Sequence, residues 1–327
     1  MTVGTADPRR FLPAIPADRM FFILSRATAL ILIVVTLSLL TPHFLTWPNL
    51  INVLRQASLQ FLLSAGLTLV VLTGGIDLSI GAVLGLAACV GASFLVGGDI
   101  ALGVLTALGV GLACGLANGA MVAYVRIPSF IATYGMLWIA HGLGYVFMKG
   151  EVFHGMPAGF RYIGAGFLGP LPVPIILMVV VLVILHVMLH RTRLGRGIYA
   201  IGGNPTAARL SGMPVKPFLV ATYGLSGLLA GFAALVVVAR INAADSGIGE
   251  ELLLPAIAAV CLGGTSLMGG VGGIVGTMVG SIILALVVNG MNLLGVRTLW
   301  QAFAMGAIIL LSVLADQVMG GKVGRSR

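Results

Sequence analysis

Residues 72–81 read LTGGIDLSIG, and Asp77 is the sole charge between Gln56 and Gly98. Gly74 and Gly75 stand directly before it. Glycine leaves the helical region of backbone space at little cost, so the pair predicts a helix break. Asp77 is then placed to accept hydrogen bonds from the free N–H groups opening the next helix, as its N-cap, and its charge suits the positive helix end. The break is expected at or near the cytoplasmic interface. Broken helices also line solute paths with polar backbone, and the two roles are compatible. A second stretch, GGTSLMGG at 263–270, likewise ends an apolar run on Gly-Gly. Gly74, Gly75, Asp77, Ser79, Gly263, Gly264, Thr265 and Ser266 are therefore the helix-break or pathway candidates.

Residues 190–217 form the other distinctive stretch, with five basic residues and no acid. Within it, GGNPTAARLSGMP predicts a Gly-Gly-Asn-Pro turn and a short helix from Pro205 to Leu210, with proline at the first position. Gly212 ends that helix. A short helix that is small on one face suits docking into a partner's groove, and a solvated basic loop is the plainer alternative.

Several chemistries lack their residues. There is no G-x-x-x-x-G-K-[ST] phosphate loop and no HExxH, so the chain cannot hydrolyse ATP by that chemistry. Of the histidines only His186 and His190 have ligand spacing, with no third ligand nearby. Cys89, Cys114 and Cys261 lie in apolar runs without C-x-x-C spacing, which indicates neither a disulfide framework nor a zinc site. No catalytic or metal residue is assigned. Carboxylates are few and mostly in loops, which disfavours a proton-coupled carrier, and no ring of charge or filter motif suggests a channel.

The elements that carry these stretches follow from composition. The chain has 327 residues, 59% hydrophobic and 8% charged, with mean hydropathy +1.13. Soluble domains are about 25% charged, so the solvent of this chain is lipid. The fold class is an all-α polytopic transmembrane bundle. At about 20 residues per crossing, about ten spans are expected: 21–41, 52–73, 79–97, 101–123, 130–147, 173–189, 218–239, two from the uncharged run 252–296 split at GGTSLMGG, and 298–316. That leaves a tail at 1–20, a transmembrane domain at 21–318 and a tail at 319–327. With both ends cytoplasmic, thirteen of the eighteen basic residues fall on the cytoplasmic side, as the positive-inside rule favours. The net charge of +9 thus reads as topology rather than nucleic-acid binding. Arg55, in the first turn or so of the second span, has to snorkel outward.

Glycines recur four residues apart at Gly81/Gly85, Gly111/Gly115/Gly119, Gly227/Gly231 and Gly272/Gly276/Gly280. On helices this spacing puts them on one face, where backbones approach closely. GGIDLS is echoed by GGTSLMGG, and Asn118-Gly119 by Asn289-Gly290. These matches suggest an internal duplication but are short.

LVVLTGGIDLSIGAVLGLAA (69–88), RLGRGIYAIGGNPTAARLSGMPV (193–215) and the stretch 256–296 together resemble permease subunits of ribose/xylose-type sugar ABC importers. The order and spacing match over nearly the whole chain. One departure is Pro255, where many members carry Asp. The resemblance implies a bacterial inner-membrane subunit forming the path for a pentose or hexose. Its partners would be an ABC ATPase carrying ATP and Mg, a periplasmic sugar-binding protein and a second permease, identical or sister. The loop positions matching the family's ATPase contact are Gly203, Asn204, Ala207, Ala208 and Gly212. A branched-chain amino acid permease and an ion-coupled carrier are the alternatives.

Overall fold

The computed structural model describes residues 17–324. The expectations on the terminal tails that fall at residues 1–16 and 325–327 lie outside the described residues. Among the described residues six helices are long and apolar enough to cross a membrane: α2 (Trp47–Leu72), α4 (Ile100–Ala120) with its π-helical continuation to Val125, α5 (Ser129–Met148), α7 (Val173–Arg191), α10 (Val215–Ile241) and α12 (Ile274–Leu293). Shorter apolar stretches lie in α1 (Ala17–Leu40), in α3 (Ile80–Val96) and in α13 (Thr298–Gly324).

Two expected spans are revised. The second begins five residues early, because Pro48 sits in the first turn of α2, where a missing N–H costs nothing. The eighth is α11 (Glu250–Leu262), 13 residues long. At 1.5 Å per residue it is about 20 Å long, too short to cross the hydrocarbon core alone. The bundle also holds short extended pieces that the sequence does not announce. β1 (Phe153–His154) pairs antiparallel with β4 (Ala243–Ala244), and β2 (Phe167–Leu168) with β3 (Leu171–Pro172). A short α6 (Ala158–Ala165) packs on α10 and α7.

α2 and α10 run through the centre, with α3, α4, α11 and α12 against them. The main core joins α2, α3 and α10, and smaller clusters tie α1 to α2 and α12, and α13 to α11 and α12. α5 and α7 turn most of their surface outward.

The α4–α10 crossing shows why the glycines are spaced by four. A Cβ on Gly111 would strike the Gly227 carbonyl oxygen, one on Gly115 the Tyr223 carbonyl, and one on Gly227 the Gly111 carbonyl. Gly81 and Gly85 admit the backbone of Gly249 and Ser246 in the same way, and Gly280 that of Ala259. Gly272 is an exception: it lies in the loop before α12 at φ +124° rather than on a helix face.

Buried polar pairs cross the bundle as well. Asn49 and Asn289 exchange amide hydrogen bonds of 3.0 and 2.8 Å, and the Thr68 and Thr277 hydroxyls lie 2.7 Å apart. The crossing predicts a contrast between two glycines of equal size. Gly227→Val should lower the thermal stability of the detergent-solubilised protein by about 1–3 kcal/mol or prevent assembly. Gly109→Val, with open space beside it, should change little. Equal melting of the two variants would remove the crossing as a source of stability.

Candidate functional site

α2 ends as predicted. The Thr73 and Gly74 N–H groups bond back to Val70 and Val71, and Gly74 turns to φ +80°. The stretch before α3 then leaves the helical ladder, and α5 supplies partners for Ile76 and Leu78. Ser129 Oγ accepts from the Ile76 N–H at 3.3 Å, and Thr133 Oγ1 from the Leu78 N–H at 3.1 Å.

Asp77 corrects the capping expectation. α3 is opened by Ser79, whose carbonyl takes the Val83 N–H. Asp77 is 2% exposed, and its Oδ1 accepts from the Ser79 N–H at 3.0 Å and the Ser79 hydroxyl at 2.6 Å. Its Oδ2 accepts from the Ser226 hydroxyl of α10 at 3.2 Å. Asn118 of α4 donates to Ser79 Oγ at 2.8 Å. The carboxylate therefore closes a turn ahead of the cap and ties the break to two neighbouring helices. Among the described residues no basic side chain lies within ion-pair distance of it. Ser226, Asn118, Ser129 and Thr133 were not singled out for this site. Their signal is a polar side chain inside an apolar run, visible only as an isolated letter.

The basic loop is two helices rather than one. Thr192 accepts from the Gly195 N–H and opens α8 (Arg193–Gly203), which the sequence reading leaves as loop. Asn204 accepts from the Ala207 N–H at 2.9 Å and opens α9 (Pro205–Leu210), the predicted short helix. Gly212, at φ +82°, follows it. Ala208 turns inward, whereas Gly203, Asn204, Ala207 and Gly212 are exposed, and Leu210 is 83% exposed. Beside α9 a cavity of about 450 Å³ is lined by Arg126, Arg209 and Lys216 with no acidic residue. The His186 and His190 rings stack loosely at 4.3 Å, and no group of three potential metal ligands occurs among the described residues.

The two Gly-Gly stretches and the end of α8 meet. Gly270 N–H bonds to the Leu72 carbonyl at 2.9 Å, and Tyr199 of α8 donates to the Gly272 carbonyl at 3.0 Å. A Cβ on Gly202 would strike both Leu72 O and Gly270 N, and one on Gly269 would sit 2.7 Å from Gly74 N. The end of α2, the end of α8 and the 263–273 loop thus touch mainly through backbone, with the Tyr199 hydroxyl as a side-chain tie. Within that loop Thr265 is buried and its hydroxyl accepts from the Gly273 N–H, Gly264 takes φ +68°, and Gly263 packs on Gly276 of α12. Ser266 Oγ accepts from the Met268 N–H. These contacts join the end of α8 to the ends of α2 and α11 and the start of α12.

Residues 49–313 match the family described as branched-chain amino acid transport system / permease component. The chain belongs to this permease family. It is 42% identical to the ribose import permease protein of Bacillus subtilis over 88% of this chain and 90% of that protein. The ribose import permease of Escherichia coli K12 is 43% identical over 88% and 91%, and the D-allose transport system permease of the same strain 35% identical over 91% of each chain. No solved structure matches the chain.

The permease offers two contrasts for test. Gly202→Ala should cost about 1–3 kcal/mol of thermal stability, since both atoms it meets are backbone, whereas Gly203→Ala, facing open space, should be silent. Asp77→Leu leaves three donors unpaired, each worth about 1–3 kcal/mol when buried, and should markedly lower the amount assembled. Asp77→Asn keeps a carbonyl for Ser79, and the Ser226 hydroxyl turns to accept, so its loss should be about 1 kcal/mol or less. Matching losses in the Asn and Leu variants would show that the charge itself is required.

Proposed function

We propose that the permease is the membrane subunit of a bacterial ABC importer that moves a pentose or hexose across the inner membrane. In this reading both chain ends and the α8–α9 loop are cytoplasmic, about ten segments enter the membrane, and two permease subunits form the path. An ATPase subunit holding ATP and Mg docks on α9, and a periplasmic binding protein delivers the sugar at the opposite end. The chain binds no cofactor of its own.

One observation carries the reading. α9 is a capped, six-residue helix standing out from the bundle with Leu210 exposed, and its preceding helix rests on the glycine junction. An isolated amphipathic turn gains nothing from exposing leucine to water, whereas a groove on a partner buries it. Basic residues around it complement an acidic partner surface. The solute class follows the relatives: proteins named for ribose and D-allose match along nearly their whole length. That favours sugar over branched-chain amino acids, which share the family description. Work comes from alternating access. ATP binding and hydrolysis on the partner favour one of two bundle arrangements, by as much as the partner's affinity for them differs, and the α8–α9 route hands that difference to α2, α11 and α12.

Reconstitution tests this. Alone in vesicles, the permease should show no concentrative uptake under an imposed proton or sodium gradient. With its ATPase and binding protein, it should accumulate D-ribose, D-allose or D-galactose on addition of ATP. Ala207→Trp, at an exposed position of α9, should abolish ATPase co-purification while leaving the melting temperature unchanged. Gradient-driven uptake by the lone subunit, ATP-driven uptake of leucine but no sugar, or full ATPase binding by the Trp variant would each refute part of it.

A further inference from the structure

A cavity of about 220 Å³ opens between α2, α10, α11, α12 and α13. One water needs only ~10–15 Å³, so the space admits a small solute. Leu252, Val288 and Met305 contribute to its apolar wall, and its polar lining comes from Gln56, Gln60 and Arg240. Gln60 is 12 residues, about 18 Å of helix, from the end of α2 at the glycine junction. Arg240 is the penultimate residue of α10, whose first turn adjoins α9. The cavity therefore lies toward the end of the bundle opposite the docking loop.

Its polar groups are not used by the fold. Among the described residues the Arg240 guanidinium is in no ion pair, and the Gln56 amide makes no hydrogen bond. Gln60 donates one long bond, 3.3 Å to Ser64 Oγ, which leaves its carbonyl oxygen free. Pro255 on the wall lacks an N–H, so the Glu251 carbonyl one turn earlier on that face has no helical donor. None of the side-chain polar atoms of Gln56, Gln60 and Arg240 is both fully buried and unpaired; they face the open space and can bond to a polar molecule that enters it. Forked donors, free carbonyls and an aliphatic wall together match a molecule with hydroxyls on its rim and C–H groups on its face.

We propose that this cavity is a station that holds one neutral polyhydroxylated solute in transit, with Gln56, Gln60 and Arg240 exchanging hydrogen bonds with its hydroxyls and Leu252 and Pro255 lying against its C–H face. The proposal rests on the sugar-importer reading. It assigns part of the selectivity to the membrane subunit, at a position where this chain carries proline.

The test uses vesicles containing the permease, its ATPase and its binding protein. If the wild type takes up none of D-ribose, D-allose and D-galactose with ATP, the sugar reading fails at that step. Given uptake, Gln56→Leu/Gln60→Leu should lower sugar moved per ATP hydrolysed about tenfold, the effect of one or two lost hydrogen bonds. An unchanged ratio overturns the proposal. Because that variant can fail to assemble, Gln60→Cys is made with Cys89, Cys114 and Cys261 replaced by serine, and its modification by a small methanethiosulfonate is timed. The transported sugar, presented on its binding protein, should slow modification severalfold in complexes that still transport. Equal rates with and without sugar mean that the cavity holds only water, and the proposal falls.

Discussion

Contact between the backbone of one segment and the glycines of another is the interaction on which the rest of this structure depends. In lipid, helices gain no hydrophobic free energy by meeting, because acyl chains are as apolar as leucine. Close fit has to replace it. At the α4–α10 crossing and at the Leu72–Gly202–Gly270 junction the fit is so close that a single methyl group would enter a carbonyl oxygen or an amide nitrogen. Removing side chains brings helix axes together and multiplies weak dispersion contacts, each worth only about 0.1–0.2 kcal/mol. It also lets polar side chains reach across, as Asn118 does to Ser79 and Asn49 to Asn289.

Much of this was legible in the sequence where the signal is local. Apolar runs gave the long helices, Gly74-Gly75 gave the break, and Asn204-Pro205 gave the start of α9, because cap, proline and glycine act on their immediate neighbours. The glycine spacing announced close packing without naming the partner helices. What stayed hidden is tertiary. Asp77 looked like a cap because its nearest free donors in sequence open α3, yet its outer oxygen is held by Ser226, 149 residues away. The sequence does not announce α8 because its four glycines lower helix propensity, and its packing against α2 and α10 compensates. α11 was read as a crossing because hydropathy reports apolarity, not where a helix starts.

The apparent duplication gains a physical meaning from the geometry. GGIDLS and GGTSLMGG resemble each other as helix breaks, and they lie against one another, Gly269 beside Gly74. Asn118 and Asn289 both sit before glycine, and both are buried and bonded across helices to different partners. Similar local needs at two places account for such echoes without any requirement that the halves share an ancestor.

The joints of the loop bear on timing. A single residue, Thr192, separates α7 from α8, and a single residue, Asn204, separates α8 from α9. Each clamps the helix that follows with its own side chain. A lever train built this way has almost no backlash. In the proposed importer, motion imposed at its tip is not first absorbed in straightening a slack tether, so the far end responds in step with the near end rather than after a lag set by loop diffusion. There the same stiffness works in reverse, carrying strain in the bundle back to α9.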